Sequence, residues 1–200
     1  MNVVLLGGNG YLGREFCAQW LQRDSSEGLR FFNISKSGKN PIANSRVENI
    51  TLDICDYEGL RQALPATIEC VINFIGAPAQ NKEELERINK VPVEIMLQIA
   101  SEYKVKHLGF VGGILGPKDF VAIKRELLTL LKQSTKSLAY IEPTLLYGAG
   151  RNDTFSKFVP LLKILGIFSN NFKPMRVETA ASDLLEQVLA HIKAGKNGDW

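Results

Sequence analysis

The chain has 200 residues, 45% of them hydrophobic, which is enough for a full core and leaves no low-complexity tract. Its net charge of +3 is small and evenly spread, so it gives no argument for a nucleic-acid partner, and no apolar run approaches the roughly 20 residues of a membrane span. Cys17, Cys55 and Cys70 are odd in number and lack CxxC or Cys/His spacing, so neither a disulfide framework nor a metal site is indicated, and they read as packing residues in a reducing compartment.

The first predicted strand is Asn2 to Leu6, a run of aliphatic residues suited to burial on both faces. Its early start leaves no room for a secretory signal, and a cytoplasmic location is expected. Gly7-Gly8-Asn9-Gly10-Tyr11-Leu12-Gly13 follows, and Leu12, Phe16, Trp20 with Cys17 and Leu21 then form an apolar stripe at helical spacing. Strand, glycine turn and helix laid end to end aim backbone N–H groups and a helix dipole into one crevice, a site for a pyrophosphate. Side chains at these glycines would block both the tight bend and the phosphate.

A second strand is predicted from Leu29 to Ile34, ending in Ser35-Lys36-Ser37-Gly38-Lys39. Residues closing this strand would meet the adenosine ribose, where a carboxylate accepts from a free 2′-hydroxyl. The turn has no carboxylate, and its serines and lysines suit a 2′-phosphate, so NADP(H) is favoured over NAD(H); the plainer alternative is that these lysines are merely solvated. Lys36, Lys39 and Arg46 are the local basic cluster. The third strand, Val47 to Leu52, leads into Asp53-Ile54-Cys55-Asp56. Asp53 and Ile54 are candidates to face the adenine, Asp56 to cap the helix that starts at Tyr57, and two ordinary turn and cap aspartates are the competing reading.

The fourth strand, from Cys70, ends in Asn73-Phe74-Ile75-Gly76, where Ile75 and Gly76 would pass close to a cofactor. A long helix is predicted from Lys82 to Tyr103, with Leu85, Ile88, Val91, Ile95 and Ile99 on its buried face and Asn89 beside it as a site residue or an ordinary satisfied side chain. His107 to Gly112 is a fifth strand, Phe120 to Gln133 a helix and Ser137 to Glu142 a sixth strand. Such alternation implies an α/β fold with a doubly wound parallel sheet, and a crevice beyond the carboxyl ends of the strands. Pro143-Thr144-Leu145-Leu146-Tyr147-Gly148 leaves at that same edge. One domain over 1–200 is expected, with residues 151–174 as a short appendage and Thr179 to His191 as a closing amphipathic helix. The appendage is densely apolar between Phe155 and Phe168, which suits a lid packed on its own domain or a face that meets a partner, a membrane surface or an apolar substrate.

Gly7-x-x-Gly10-x-x-Gly13, the Asp53 turn, Asn73-Phe74-Ile75-Gly76, Asn89, Lys124 and Pro143 to Gly148 occur in the order found in the extended and atypical short-chain dehydrogenase/reductase superfamily, which the chain resembles over nearly its whole length. More narrowly, Gly7 to Gly13 with Ile34-Ser35-Lys36-Ser37-Gly38 resembles the branch holding the Rossmann accessory subunit of respiratory complex I and a fungal mitochondrial protein of the coenzyme Q biosynthetic complex. That branch makes the mitochondrial matrix the alternative location. The resemblance implies a Rossmann-like fold with a dinucleotide as ligand. It also implies a Tyr-x-x-x-Lys pair on the helix after the fifth strand and a serine at that strand's end. In such enzymes the tyrosine moves the proton, the lysine lowers its pKa and holds the nicotinamide ribose, and the serine orients the substrate.

Here that helix reads Phe120-Val121-Ala122-Ile123-Lys124, and the serine position falls in Val111-Gly112-Gly113. Lys124 keeps the ribose-holding half of its role, and Tyr147 is the phenol closest to the crevice, with a packing role as its plainer reading. The resemblance therefore implies a dinucleotide-binding protein with degenerate proton-transfer positions, serving as a cofactor sensor or assembly component. Its alternative is an NAD(P)H-dependent oxidoreductase on a small or apolar carbonyl or quinone-like substrate with an atypical proton source. A protein-interaction module that binds no nucleotide is disfavoured by the intact glycine turn.

Overall fold

A computed structural model describes residues 1–148 and 174–197. The expected appendage at 151–174 lies outside the described residues except for Pro174.

Six strands, β1 (Asn2–Leu6), β2 (Arg30–Ser35), β3 (Val47–Thr51), β4 (Cys70–Asn73), β5 (His107–Val111) and β6 (Leu138–Ile141), form one sheet in the order β3-β2-β1-β4-β5-β6. Every pairing in it is parallel. The chain thus starts at the centre, winds outward to β3, and crosses back to β4, so a topological switch lies at the carboxyl ends of β1 and β4.

The alternation along each strand explains the two layers of helix. Val3 and Leu5 with Phe31 and Ile72 face α1 (Tyr11–Arg23) and α5 (Val177–Asn197). Val4 and Leu6 with Phe32 and Val71 face α2 (Tyr57–Ala63), α3 (Lys82–Glu102) and α4 (Lys118–Ser134). Under α1, Phe16, Trp20 and Phe31 meet edge to face, with ring centroids 5.6 and 5.4 Å apart.

Two helix starts are set by short polar side chains. Asp56 accepts from the Gly59 amide at 2.9 Å and Asn81 from the Glu84 amide at 2.8 Å, each satisfying an orphan donor of a first turn.

Some boundaries differ from expectation. β2 begins at Arg30 and not Leu29, because the Leu29 amide turns back to Ser26. β6 is shorter than Ser137 to Glu142, running from Leu138 to Ile141, although the Ser137 carbonyl still accepts from the Leu108 amide at 3.0 Å. α4 starts two residues before Phe120 and α5 two before Thr179. A further parallel pair, β7 (Leu146–Tyr147) with β8 (Met175–Arg176), was not anticipated.

Candidate dinucleotide crevice

The turn after β1 is tied to the sheet at one end and to itself at the other. The Gly7 amide donates to the Ile34 carbonyl at 2.8 Å and the Gly10 amide to the Gly7 carbonyl at 2.9 Å, with Gly7 at φ +79°. A Cβ on Gly13 would stand 2.7 Å from the Gly8 Cα, so this glycine allows α1 to pack directly on the turn. Gly10 caps α1 without a side-chain bond, leaving first-turn amides and the positive end of the helix dipole toward the crevice. That arrangement suits an anion.

Beside it, beyond the ends of β2 and β3, lies a cavity of about 270 Å³ lined by Ser35, Lys36, Asp53, Ile54, Ile75 and, from α3, Arg87. The expectation gave Lys36 and Asp53 separate tasks; here Lys36 Nζ and Asp53 Oδ2 are 2.7 Å apart. The Lys36 hydrogen bond, followed by that from the Cys55 amide, lowers the Asp53 pKa. Both side chains are substantially exposed, so the pair is weak, on the order of 0–1 kcal/mol, and open to exchange for a ligand. Ser37 accepts from the Lys39 amide at 3.3 Å. Arg46 is not part of this cluster. Its guanidinium donates to the Leu21 carbonyl at 2.9 Å and to that of Asp24, clamping the far end of α1. Arg87 was not anticipated, because no local pattern places a residue of α3 over the ends of β2 and β3.

On the other side of the glycine turn a cavity of about 540 Å³ is lined by Tyr11, Phe74, Gly113, Phe120, Thr144 and Leu146 among others, and no described lining residue carries a formal charge. Gly76 and Pro143 also border it. Lys124 lies at its margin, only 4% exposed, with Nζ donating to the Val111 carbonyl at 3.1 Å and standing 5.0 Å from the Phe110 ring centroid. Burial alone pushes its pKa down to about 8.

Asn89 is fully buried; its Nδ2 donates to the Ala77 and Leu85 carbonyls at 2.8 and 2.9 Å, while its Oδ1 has no partner. A Cβ on Gly76 would lie 2.2 Å from Lys124 Nζ and 2.8 Å from Asn89 Oδ1, so a buried donor and a buried acceptor converge beside one bare stretch of backbone. Their joint chemistry suits vicinal hydroxyls, which both give and accept hydrogen bonds.

Phe120 sits in the first turn of α4, its ring 3.2 Å from where a Gly113 Cβ would be. The position one turn before the buried lysine therefore carries an aromatic ring without a hydroxyl, facing a backbone without one. Tyr147 does not line the cavity; it pairs in β7 and lies 5.9 Å under the Arg176 guanidinium. The phenol in the cavity wall belongs to Tyr11, whose hydroxyl donates to the Gly148 carbonyl.

A family model described as "NAD dependent epimerase/dehydratase family" matches residues 3–152, and the chain belongs to that family. Among solved structures, Pen from Bacillus thuringiensis superposes with a TM-score of 0.71 at 17% identity, covering 94% of this chain and 65% of that one. The enzyme WbmH of Bordetella bronchiseptica, solved with NAD⁺, gives 0.68 at 13% identity over 94% of this chain and 71% of that one. The oxidoreductase ylbE from Lactococcus lactis gives 0.56 at 17% identity, covering 96% of this chain and 98% of that one. At these identities the likeness establishes a shared fold. No curated protein sequence matches the chain.

Proposed function

We propose that this chain binds a nicotinamide dinucleotide along the sheet edge and lacks the proton-transfer pair of the usual dehydrogenase. The observation that carries this reading is Phe120, one helical turn from a buried Lys124, in a crevice whose other parts suit the ligand. The first amides of α1, from Tyr11 to Gly13, would hold the pyrophosphate. Ser35, Lys36, Ser37, Asp53, Ile54 and Ile75 would surround the adenosine, and Asn89 and Lys124 the nicotinamide ribose beside Gly76. The NAD⁺ complex of WbmH supports a nicotinamide dinucleotide as the ligand by analogy of fold. When bound, the nicotinamide supplies hydride chemistry. Loss of a general acid typically removes roughly 10²–10⁴ in rate, so the protein serves as a sensor of cofactor state or as a component of an assembly. NADP(H) is the preferred form, because Ser35, Lys36 and Ser37 offer hydroxyls and a cation held only by an exposed ion pair. The three unpaired cysteines agree with a reducing compartment such as the cytoplasm.

Thermal-shift titration with NAD⁺, NADH, NADP⁺ and NADPH tests the reading. At a hundredfold excess over the dissociation constant a ligand of the native state adds about 2.7 kcal/mol, roughly 5–10 °C for a chain of this size. NADPH should give the largest rise, and no rise with any of the four would refute the proposal.

A second reading is favoured by the cavity of about 540 Å³, whose described lining residues carry no formal charge. It would admit a small apolar carbonyl compound for reduction, the proton coming from water. Cofactor oxidation over a panel of such carbonyls, abolished in Lys124→Met, would establish it, and inertness to the whole panel would exclude it.

A further inference from the structure

We propose that a ladder of asparagine side chains beneath the glycine turn fixes Ser35 as a hydrogen-bond donor to the 2′-position of the dinucleotide, which makes Asn33 a positioning residue for cofactor choice. The proposal rests on the dinucleotide reading of the crevice.

Alternate residues of β2 face α1, and Phe31 is part of the core there. Asn33, next on that face, is 0% exposed. An amide in the interior of a sheet is costly unless bonded, and a leucine would fill the space. Asn33 Nδ2 donates to Asn9 Oδ1 in the glycine turn and, at 3.3 Å, to Oδ1 of Asn49, its register partner on β3. Asn9, 6% exposed, passes the donation on, its Nδ2 giving a hydrogen bond to Ser35 Oγ at 2.9 Å.

Two of these bonds run toward Ser35, from Asn33 to Asn9 and from Asn9 to Ser35, while the bond to Asn49 leads away to β3. Having accepted from Asn9, the Ser35 hydroxyl keeps its own proton to give, and Ser35 lines the adenosine cavity beside Lys36. A phosphate takes such a proton readily and can draw Lys36 from Asp53, whereas a 2′-hydroxyl is best served by a carboxylate acceptor, and the carboxylate lining this cavity, Asp53, is held by Lys36. The ladder is also built into the turn. A Cβ on Gly8 would lie 2.1 Å from Asn33 Oδ1, so the amide occupies the space the glycine leaves, and that buried oxygen is kept without a partner. An unsatisfied buried atom at this place is accounted for by the work of the nitrogen on the same amide.

The dissociation constants of NADPH and NADH for wild type, Ser35→Ala, Ser35→Thr, Asn33→Leu and the Asn33→Leu/Ser35→Ala double variant test this. Ser35→Ala should weaken NADPH by about tenfold, the loss of one charge-assisted hydrogen bond, with NADH within twofold, and Ser35→Thr should restore it. Asn33→Leu should reproduce the selective loss, and the double variant should be no worse than either single one. A merely structural role for Asn33 would weaken both dinucleotides alike and add to the serine effect, and that result overturns the proposal. So does a greater loss of NADH than of NADPH, which would mean that the ladder runs in the opposite direction and Ser35 accepts. If Asn33→Leu does not fold, Asn33→Ala, which also removes the donating nitrogen, takes its place in the same comparison. A wild-type protein that binds neither dinucleotide removes the reading of the crevice itself, whereas binding with an unchanged NADPH-to-NADH ratio across the variants removes only the ladder.

Discussion

Lys124 holds an ammonium group where little water reaches, and burial is the whole cause of its lowered pKa. Between about pH 8 and the ordinary 10.5, the unfolded chain keeps this proton and the folded one sheds it, so stability from this group rises with pH through that window. Below pH 8 the folded chain bears the full cost of a buried charge. Lys124→Met should therefore stabilise the ligand-free protein at pH 7 by about 1–3 kcal/mol, after allowing for the donor lost to the Val111 carbonyl. The gain should vanish above pH 10.5, where the lysine is neutral in both states. The same variant should weaken dinucleotide binding by at least about tenfold. Denaturation at the two pH values, with binding measured in parallel, checks all three statements; a variant less stable at pH 7 would show that the lysine's contacts outweigh its desolvation. Phe120→Tyr is the complementary change. It places a hydroxyl one turn from Lys124 and should leave dinucleotide affinity within about twofold, while raising any cofactor oxidation by roughly 10–10².

At the scale of the element, the unit that decides binding is β1, the glycine turn and α1 taken together. Gly13→Ala would drive a methyl group into the Gly8 backbone, 2.7 Å from its Cα, so α1 must lift from β1. The expected cost is roughly 1–3 kcal/mol, read as a lower denaturation midpoint, together with loss of dinucleotide binding; a variant that binds normally would show that the close approach is dispensable. This unit was legible in the sequence because its signals are local: an apolar run, glycines at fixed spacing, then a stripe of period 3.6. The cap at Asp56 was legible for the same reason. The Lys36–Asp53 pair was not, because it depends on β2 and β3 being neighbours with Ser35 opposite Thr51. Arg87 escaped notice likewise, since only the sheet order brings α3 over the adenosine cavity. β7 and β8, two residues each, are too short to carry any period.

For the molecule as a whole, the parallel sheet requires cover on both faces, and residues from both ends of the chain share one of them. α1 follows the first strand, whereas α5 is the last described element, yet both bury the face that carries Val3, Leu5, Phe31 and Ile72. Leu184, fully buried on α5, belongs to this core. It lies seven residues beyond Val177, about 10 Å along the helix axis from the end nearest β8. Leu184→Ala should therefore cost about 2–5 kcal/mol and lower the melting temperature by roughly 5–15 °C. The crevice is formed by the turn after β1 and the carboxyl ends of the strands, so the folded variant should bind a dinucleotide as wild type does. Melting and binding measured together separate two views of the fold. Loss of stability alone means that α5 closes the core while the crevice is fixed by the sheet and its glycine turn. Loss of affinity in protein that is still folded would mean that the crevice depends on how α5 is seated against α1.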